Sequence, residues 1–211
     1  MGYLQEMAEN GYSLDDVGDY HRTMVPYLIK RAGIVSDDLV VDIGSASGHY
    51  LVPLFESGYK NLIAVDIDEY NFEKFNTEYG VKCYKANIET ECLPLPDATV
   101  NAILAIHLIE HLNKPGLLLE ESYRLLVTGG RIVFITPNWR KQVKIFWRDP
   151  THVHPYDKVA LARLVRSFGF KIEYIDNDGS RLGLDRLKLY RIFPWIGKII
   201  GRDILLVATK K

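Results

Sequence analysis

A doubly wound α/β domain with a mostly parallel, seven-stranded sheet is the fold class the sequence predicts. Three observations predict it. Strand-length apolar runs alternate with helical patterns from Leu39 to Thr136, the rhythm of parallel strands joined by crossover helices. The first run opens into a turn of small residues, Gly44-Ser45-Ala46-Ser47-Gly48. The second run ends near an acid, Asp66, 18 residues after Gly48, which sets a carboxylate across the crevice from that turn.

The elements follow in order. Ser13–Ala32 carries Val17, Tyr20, Met24, Tyr27, Leu28 and Ala32 on one face, which predicts an amphipathic helix stopped by Gly33 and kinked or divided at Pro26. Strands are expected at Leu39–Ile43, Asn61–Ile67, Val81–Ala86 and Val100–Ile106, with helices at about His49–Ser57 and Glu69–Tyr79. Val100–Ile106 is continuously apolar, as in a strand covered on both faces. A helix over Pro115–Leu126, a turn at Thr128-Gly129-Gly130 and a strand at Arg131–Thr136 complete the regular part. Asn138–Tyr156 contains Pro150 and Pro155 and reads as an ordered loop; Asp157 then caps a helix over Lys158–Phe168 that Gly169 stops. Phe170–Ile175 and Asp203–Thr209 are the last strands. Because no simple helical crossover joins them, the final strand is expected to run antiparallel. The whole chain, 1–211, reads as one domain: a helical extension over 1–35, a ligand-binding core over 36–137 and a region over 138–211 that holds a loop, a helix, an insertion and the final strands.

Composition sets the broad class. The chain is 47% hydrophobic and 25% charged, as expected of a soluble globular protein. Its apolar runs fall far short of the roughly 20 residues a membrane span needs. Met1–Asn10 shows no secretory pattern, and Cys83 and Cys92 have no disulfide or metal spacing, so a cytoplasmic location is expected. The net charge of −1 hides a division: residues 1–130 hold 9 Lys and Arg against 20 Asp and Glu, and residues 131–211 hold 17 against 7. The basic part either meets an anionic partner or packs on its own acidic half.

The turn carries the most specific signal. Small residues after a strand let backbone approach a ligand, and the helix that follows presents free N–H groups. A dinucleotide fingerprint would need Gly at the sixth turn position, where this chain has His49. Instead, Asp42–Gly48 resembles motif I of class I S-adenosylmethionine (SAM)-dependent methyltransferases, with Ala46 at the usual middle glycine. Asn87-Ile88-Glu89 with Leu93-Pro94-Leu95-Pro96-Asp97 is similar to that family's segment after strand three, with Asn87 for the usual Asp, and Asn101 is a further departure. Ile106–Leu112, Gly129-Gly130 and Thr136-Pro137-Asn138 match its later segments. The likeness covers about 36–176 and the last strand, in the style of type 11/23 small-molecule methyltransferases. It implies a Rossmann-like fold, SAM as cofactor and S-adenosylhomocysteine as product. It places cofactor contacts at Asp42, Gly44, Ser45, Ala46, Gly48, Asp66, Ile67, Asn87, Ile88, Ala105 and His107. The departures leave open a catalytically idle SAM-binding or scaffold protein.

Methyl transfer needs the protein mainly to position the acceptor and, where required, to take its proton. His107, past the fourth strand, and His152 and His154, in a loop stiffened by Pro150 and Pro155, are the expected catalytic groups. An extended loop would turn both of the latter imidazoles to one side. His111 reads as a structural residue. A His-x-His pair with Asp149 or Asp157 is a conceivable metal set, but no acid cluster follows the fourth strand, and no metal is expected. Cations and aromatics between Trp139 and Arg148, and again over Gly179–Gly201, suit a small-molecule, glycan or lipid-linked acceptor with membrane-peripheral contact. No nucleic-acid module is recognisable.

Overall fold

The computed structural model describes residues 17–178 and 201–211. Seven strands form one sheet in the order β3-β2-β1-β4-β5-β7-β6: β1 Val40–Ile43, β2 Leu62–Asp66, β3 Lys82–Lys85, β4 Val100–Ile106, β5 Leu126–Pro137, β6 Lys171–Asp178 and β7 Asp203–Thr209. Strands β1 to β5 pair in parallel. β7 runs antiparallel to both β5 and β6, as expected for a strand that follows without a helical crossover.

Strand alternation divides the core between the two faces. Val41, Ile43, Ile103, Ala105, Ile132 and Phe134 face one apolar layer, built with α4 (Pro115–Leu125) and α6 (Lys158–Ser167). Val40, Ala102, Leu104, Val133 and Ile135 face the other, covered by α1 (Asp19–Ala32), α2 (Leu51–Glu56) and α3 (Phe72–Tyr79). Leu118, Leu119, Val25 and Phe75 are completely buried, so each helix is held by its apolar stripe rather than by propensity alone.

Three expectations are corrected. The first helix begins at Asp19, after an extended Gly18, and Pro26 lies inside it without ending it; the expected turn from Ser13 to Asp16 lies outside the described residues. Thr128-Gly129-Gly130 is not a separate turn. β5 runs through it with a register shift opposite Val100 to Ala102, because a bulge accommodates extra residues without breaking the ladder. The stretch after Asn138 is not all loop, since Trp139–Phe146 forms a short helix, α5. The Asn138 side chain accepts a hydrogen bond from the Arg140 N–H (3.3 Å) and the Phe146 ring is buried, which together make a cap and an anchor.

The chain reverses its winding at β1, whose neighbours are β2 on one side and β4 on the other. That switch point opens a crevice at the carboxyl ends of the strands, where open α/β sheets place their ligands.

Candidate active site

A cavity of about 1010 Å³ fills this crevice. Its floor is the turn after β1. The N–H groups of Gly44 and Ser45 both donate to Val65 O (2.8 and 3.1 Å), and Gly48 N–H donates to Ser45 O (2.8 Å), which folds the turn tightly against β2. Gly44 sits at φ 78°, and a Cβ there would come within 3.1 Å of Leu108 Cδ1. Ala46, the departure from the expected glycine, takes φ 43°. Its N–H donates to Asp66 Oδ2 (2.8 Å), and its carbonyl accepts from Asn71 Nδ2 (3.0 Å). The smallest side chain thus tolerates a left-handed backbone held on both sides.

Two carboxyls face the cavity from neighbouring strands. The second Asp66 oxygen accepts from Asp68 N–H (3.0 Å). Burial raises Asp66 above the ordinary carboxylate range against the pull of these N–H groups. Burial, and next the Asp66 carboxyl, push Asp42 up to about 7. The charged groups that perturb this pair are acids, so a cation with hydroxyl donors is the ligand such a wall suits.

The other expected cofactor residues fall into two sets. Ser45, Ile67, Asn87, Ile88 and His107 line the cavity. Gly48 and Ala105 do not. Ala105 is completely buried inside β4, because strand alternation turns it into the core, and Gly48, at φ 70°, shapes the turn instead. Asn87 holds the bend after β3, its Oδ1 accepting from Glu89 N–H (2.9 Å). Asn101 Oδ1 accepts from Leu39 N–H (2.9 Å); this departure has a structural use at the foot of β1.

At the far end, β4 releases the chain at His107, which sits at φ 50° while its N–H still donates to Ile135 O (2.7 Å). Its Nδ1 lies 3.3 Å from Glu110 Oε1, and its buried Nε2, 4.0 Å from Asp203 Oδ2, has no hydrogen-bond partner among the described residues. Burial alone would raise Glu110, but the His107 hydrogen bond and charge, a backbone N–H and the His111 charge together hold the carboxyl below its ordinary value. Thr136 Oγ1 donates to the other Glu110 oxygen (2.9 Å).

His152 reaches the cavity and His154 does not. The expected alternation fails because one carbonyl, Glu110 O, accepts from both Val153 N–H and His154 N–H (2.9 and 3.1 Å), which bends the loop at that point. His154 Nε2 turns to Asn113 O (3.4 Å). His111, read from the sequence as structural, stands on the wall beside His152, with ring centroids 4.8 Å apart. Glu110, Asp149 and Thr151 join them there. Asp157 stays with its cap and an ion pair to Arg140 (2.7 Å).

The methyltransferase-domain family Methyltransf_23 matches residues 19–175. The chain belongs to the class I SAM-dependent methyltransferase family. Among curated relatives, ribosomal protein L11 methyltransferase of Staphylococcus saprophyticus is 30% identical over 123 residues, 55% of this chain and 37% of that protein. Malonyl-[acyl-carrier protein] O-methyltransferase of a Marinomonas species is 26% identical over 170 residues, 74% of this chain and 62% of the relative. The chain thus spans between about a third and three fifths of the length of these relatives. Among solved folds, a methyltransferase complexed with the Haloferax volcanii activator Trm112 superposes with a TM-score of 0.74 at 16% identity, over 99% of this chain and 98% of that one. Geranyl diphosphate methyltransferase in complex with SAM superposes with a TM-score of 0.69 at 17% identity, over 90% and 85%. The methyltransferase fold, with its antiparallel seventh strand, is therefore this chain's fold.

Proposed function

We propose that the chain binds SAM across the 44–48 turn and Asp66 and transfers its methyl group to an oxygen of a small-molecule, glycan or lipid-linked acceptor. One observation carries this reading. The turn that closes on Asp66 through Ala46 N–H and the buried Asp42 carboxyl form a single wall of a cavity of about 1010 Å³. That volume stands at the upper end of the roughly 300–1,000 Å³ usual for ligand sites, which leaves room for an acceptor beside a cofactor.

When bound, SAM supplies an activated methyl on a sulfonium. The chain's residues do the rest. Asp66, held by two N–H donors, offers its remaining lone pairs to ribose hydroxyls, and Asp42 supplies negative potential toward a cationic amino-acid end. Ile67 and Ile88 give apolar surface on the adenine side. On the same cavity as His107, His152 donates from Nδ1 to Phe146 O (2.7 Å), so its Nε2 keeps the lone pair that can take a hydroxyl proton. His154, outside the cavity, is left out of that role. Oxygen as the accepting atom agrees with the named activity of the Marinomonas relative.

The acceptor enters past α5. Ile145 and Phe146 line the cavity, while Val143 and Trp147 are exposed among Arg140, Lys141, Lys144 and Arg148. This mixture suits an apolar acceptor with an anionic group, presented at a membrane surface. The described residues contain no helix long and apolar enough to cross a membrane. The greasy segment from Gly179 to Ile200 lies outside the described residues.

Calorimetric titration with SAM, S-adenosylhomocysteine and NAD tests the reading. Binding of the first two and not the third is expected, followed by transfer of labelled methyl to a hydroxyl-bearing acceptor from a lipid and glycan extract. A folded protein with no affinity for S-adenosylhomocysteine refutes it; binding with no transfer to any acceptor class would favour the idle, scaffold reading.

A further inference from the structure

We propose that Glu110, His111 and His152 form a binding site for a divalent transition-metal ion of the zinc class, placed to hold the acceptor's oxygen. The inference rests on reading this end of the cavity as the acceptor site.

Each of the three side chains offers a ligating atom, and these atoms lie within 4.8 Å of one another. Bonds of about 2.0–2.2 Å in a tetrahedral zinc site set ligand atoms roughly 3.3–3.6 Å apart, so the widest pair must close by up to about 1.5 Å, through side-chain rotation. Glu110 is no surface acid: it is completely buried and fixed by Thr136 and His107. A buried carboxyl group beside two imidazoles offers the mixed oxygen and nitrogen donors that a divalent ion of this class takes.

The hydrogen bonds around the imidazoles point the same way. His152 Nδ1 faces the Phe146 carbonyl and must donate, which leaves Nε2 as the lone-pair nitrogen. His111 Nδ1 lies 2.8 Å from Thr151 Oγ1. That hydroxyl spends its own proton on Asp149 Oδ1 (2.5 Å), so His111 Nδ1 also donates and its Nε2 is left with the lone pair. Each ring is thus oriented by an acceptor behind it, the arrangement found behind metal-bound histidines. Asp149 Oδ2, 3.8 Å from His152 Nε2, is a further oxygen within reach. Two histidines and a carboxylate leave coordination positions open, and these open into the cavity that Asp66 and the turn share. An ion there favours an acceptor with an oxygen donor, such as a hydroxyl or carboxylate. Taking a proton and holding a metal compete for one nitrogen of His152, and a single experiment separates them.

The purified full chain, stripped with chelator, is titrated with Co²⁺, and its visible d–d absorption and calorimetric stoichiometry are read. S-adenosylhomocysteine affinity is measured in parallel. One equivalent of Co²⁺, displaced by Zn²⁺, is expected. His111→Ala and His152→Ala should each weaken it at least about 100-fold and Thr151→Val about 10-fold, all with unchanged affinity for S-adenosylhomocysteine. Wild-type protein that binds the nucleoside but takes up no stoichiometric Co²⁺ overturns the metal site and leaves His152 as a base. Co²⁺ binding that survives both histidine substitutions overturns it as well. Loss of nucleoside binding in the wild type would instead sink the underlying reading.

Discussion

Asp42 should make the protein less stable as pH rises toward neutrality. Its carboxyl moves from an ordinary 3.8 to about 7 on folding, through burial first and the Asp66 carboxyl second. Between those values the folded chain binds more protons than the unfolded one, so unfolding free energy falls as pH rises from about 4 to about 7 and then levels off. At ~1.4 kcal/mol per pKa unit, the span corresponds to roughly 4 kcal/mol. Asp42→Asn keeps the shape and removes the titration. Urea unfolding of both proteins at pH 5 and pH 8 reads the difference. The variant should gain on the wild type between the two pH values by roughly 2–4 kcal/mol, part of the loss having already occurred below pH 5. It should also bind S-adenosylhomocysteine more weakly, because in the proposed mode of binding the charge that costs stability is the one turned toward the ligand's ammonium group. Equal stability differences at pH 5 and pH 8 would refute the argument, since Asp42 would then be as ionised in the fold as outside it.

Four further outcomes follow from the geometry. Gly44→Ala forces a side chain at φ 78° against Leu108; it should cost about 1–3 kcal/mol in urea unfolding and weaken nucleoside binding. Ala46→Gly relieves a left-handed alanine but loosens the unfolded chain, so stability should stay within about 1 kcal/mol and binding should persist in calorimetry. Arg124 donates to Leu93 O, Leu95 O, Glu121 and Asp97. Arg124→Met leaves the largely buried Glu121 with only the Leu93 N–H (2.7 Å), at a cost of about 2–4 kcal/mol by thermal or urea unfolding. Asp157→Ala removes the cap on Ala160 N–H (2.8 Å) of α6 and should cost about 1 kcal/mol.

Local patterns in the chain were enough for the architecture. Val100–Ile106 and Asp203–Thr209 have the bounds their apolar runs imply, because a strand buried on both faces needs continuous apolar sequence. The turn at 44–48 and the acid at 66 were legible for a related reason: each sits at a strand end, and parallel strands deliver their ends to one crevice. Helix α5 was missed although Asn138 at the cap and Trp139, Val143 and Phe146 at helical spacing signalled it; the prolines downstream and the basic composition read as loop. Both histidines of the 152–154 pair looked alike in sequence, and only the bend imposed by the Glu110 carbonyl set one inside and one outside.

From sequence alone came the strands, their parallel run with an antiparallel last member, and the turn and acid at the crevice, since these are set by patterns within single βαβ units. Tertiary structure alone brought Glu110 and His111, after β4, to His152, 41 residues beyond His111. That meeting depends on how two loops cross above the sheet. No periodicity along the chain encodes it, because the hydrogen bonds that hold the crossing join residues far apart in sequence.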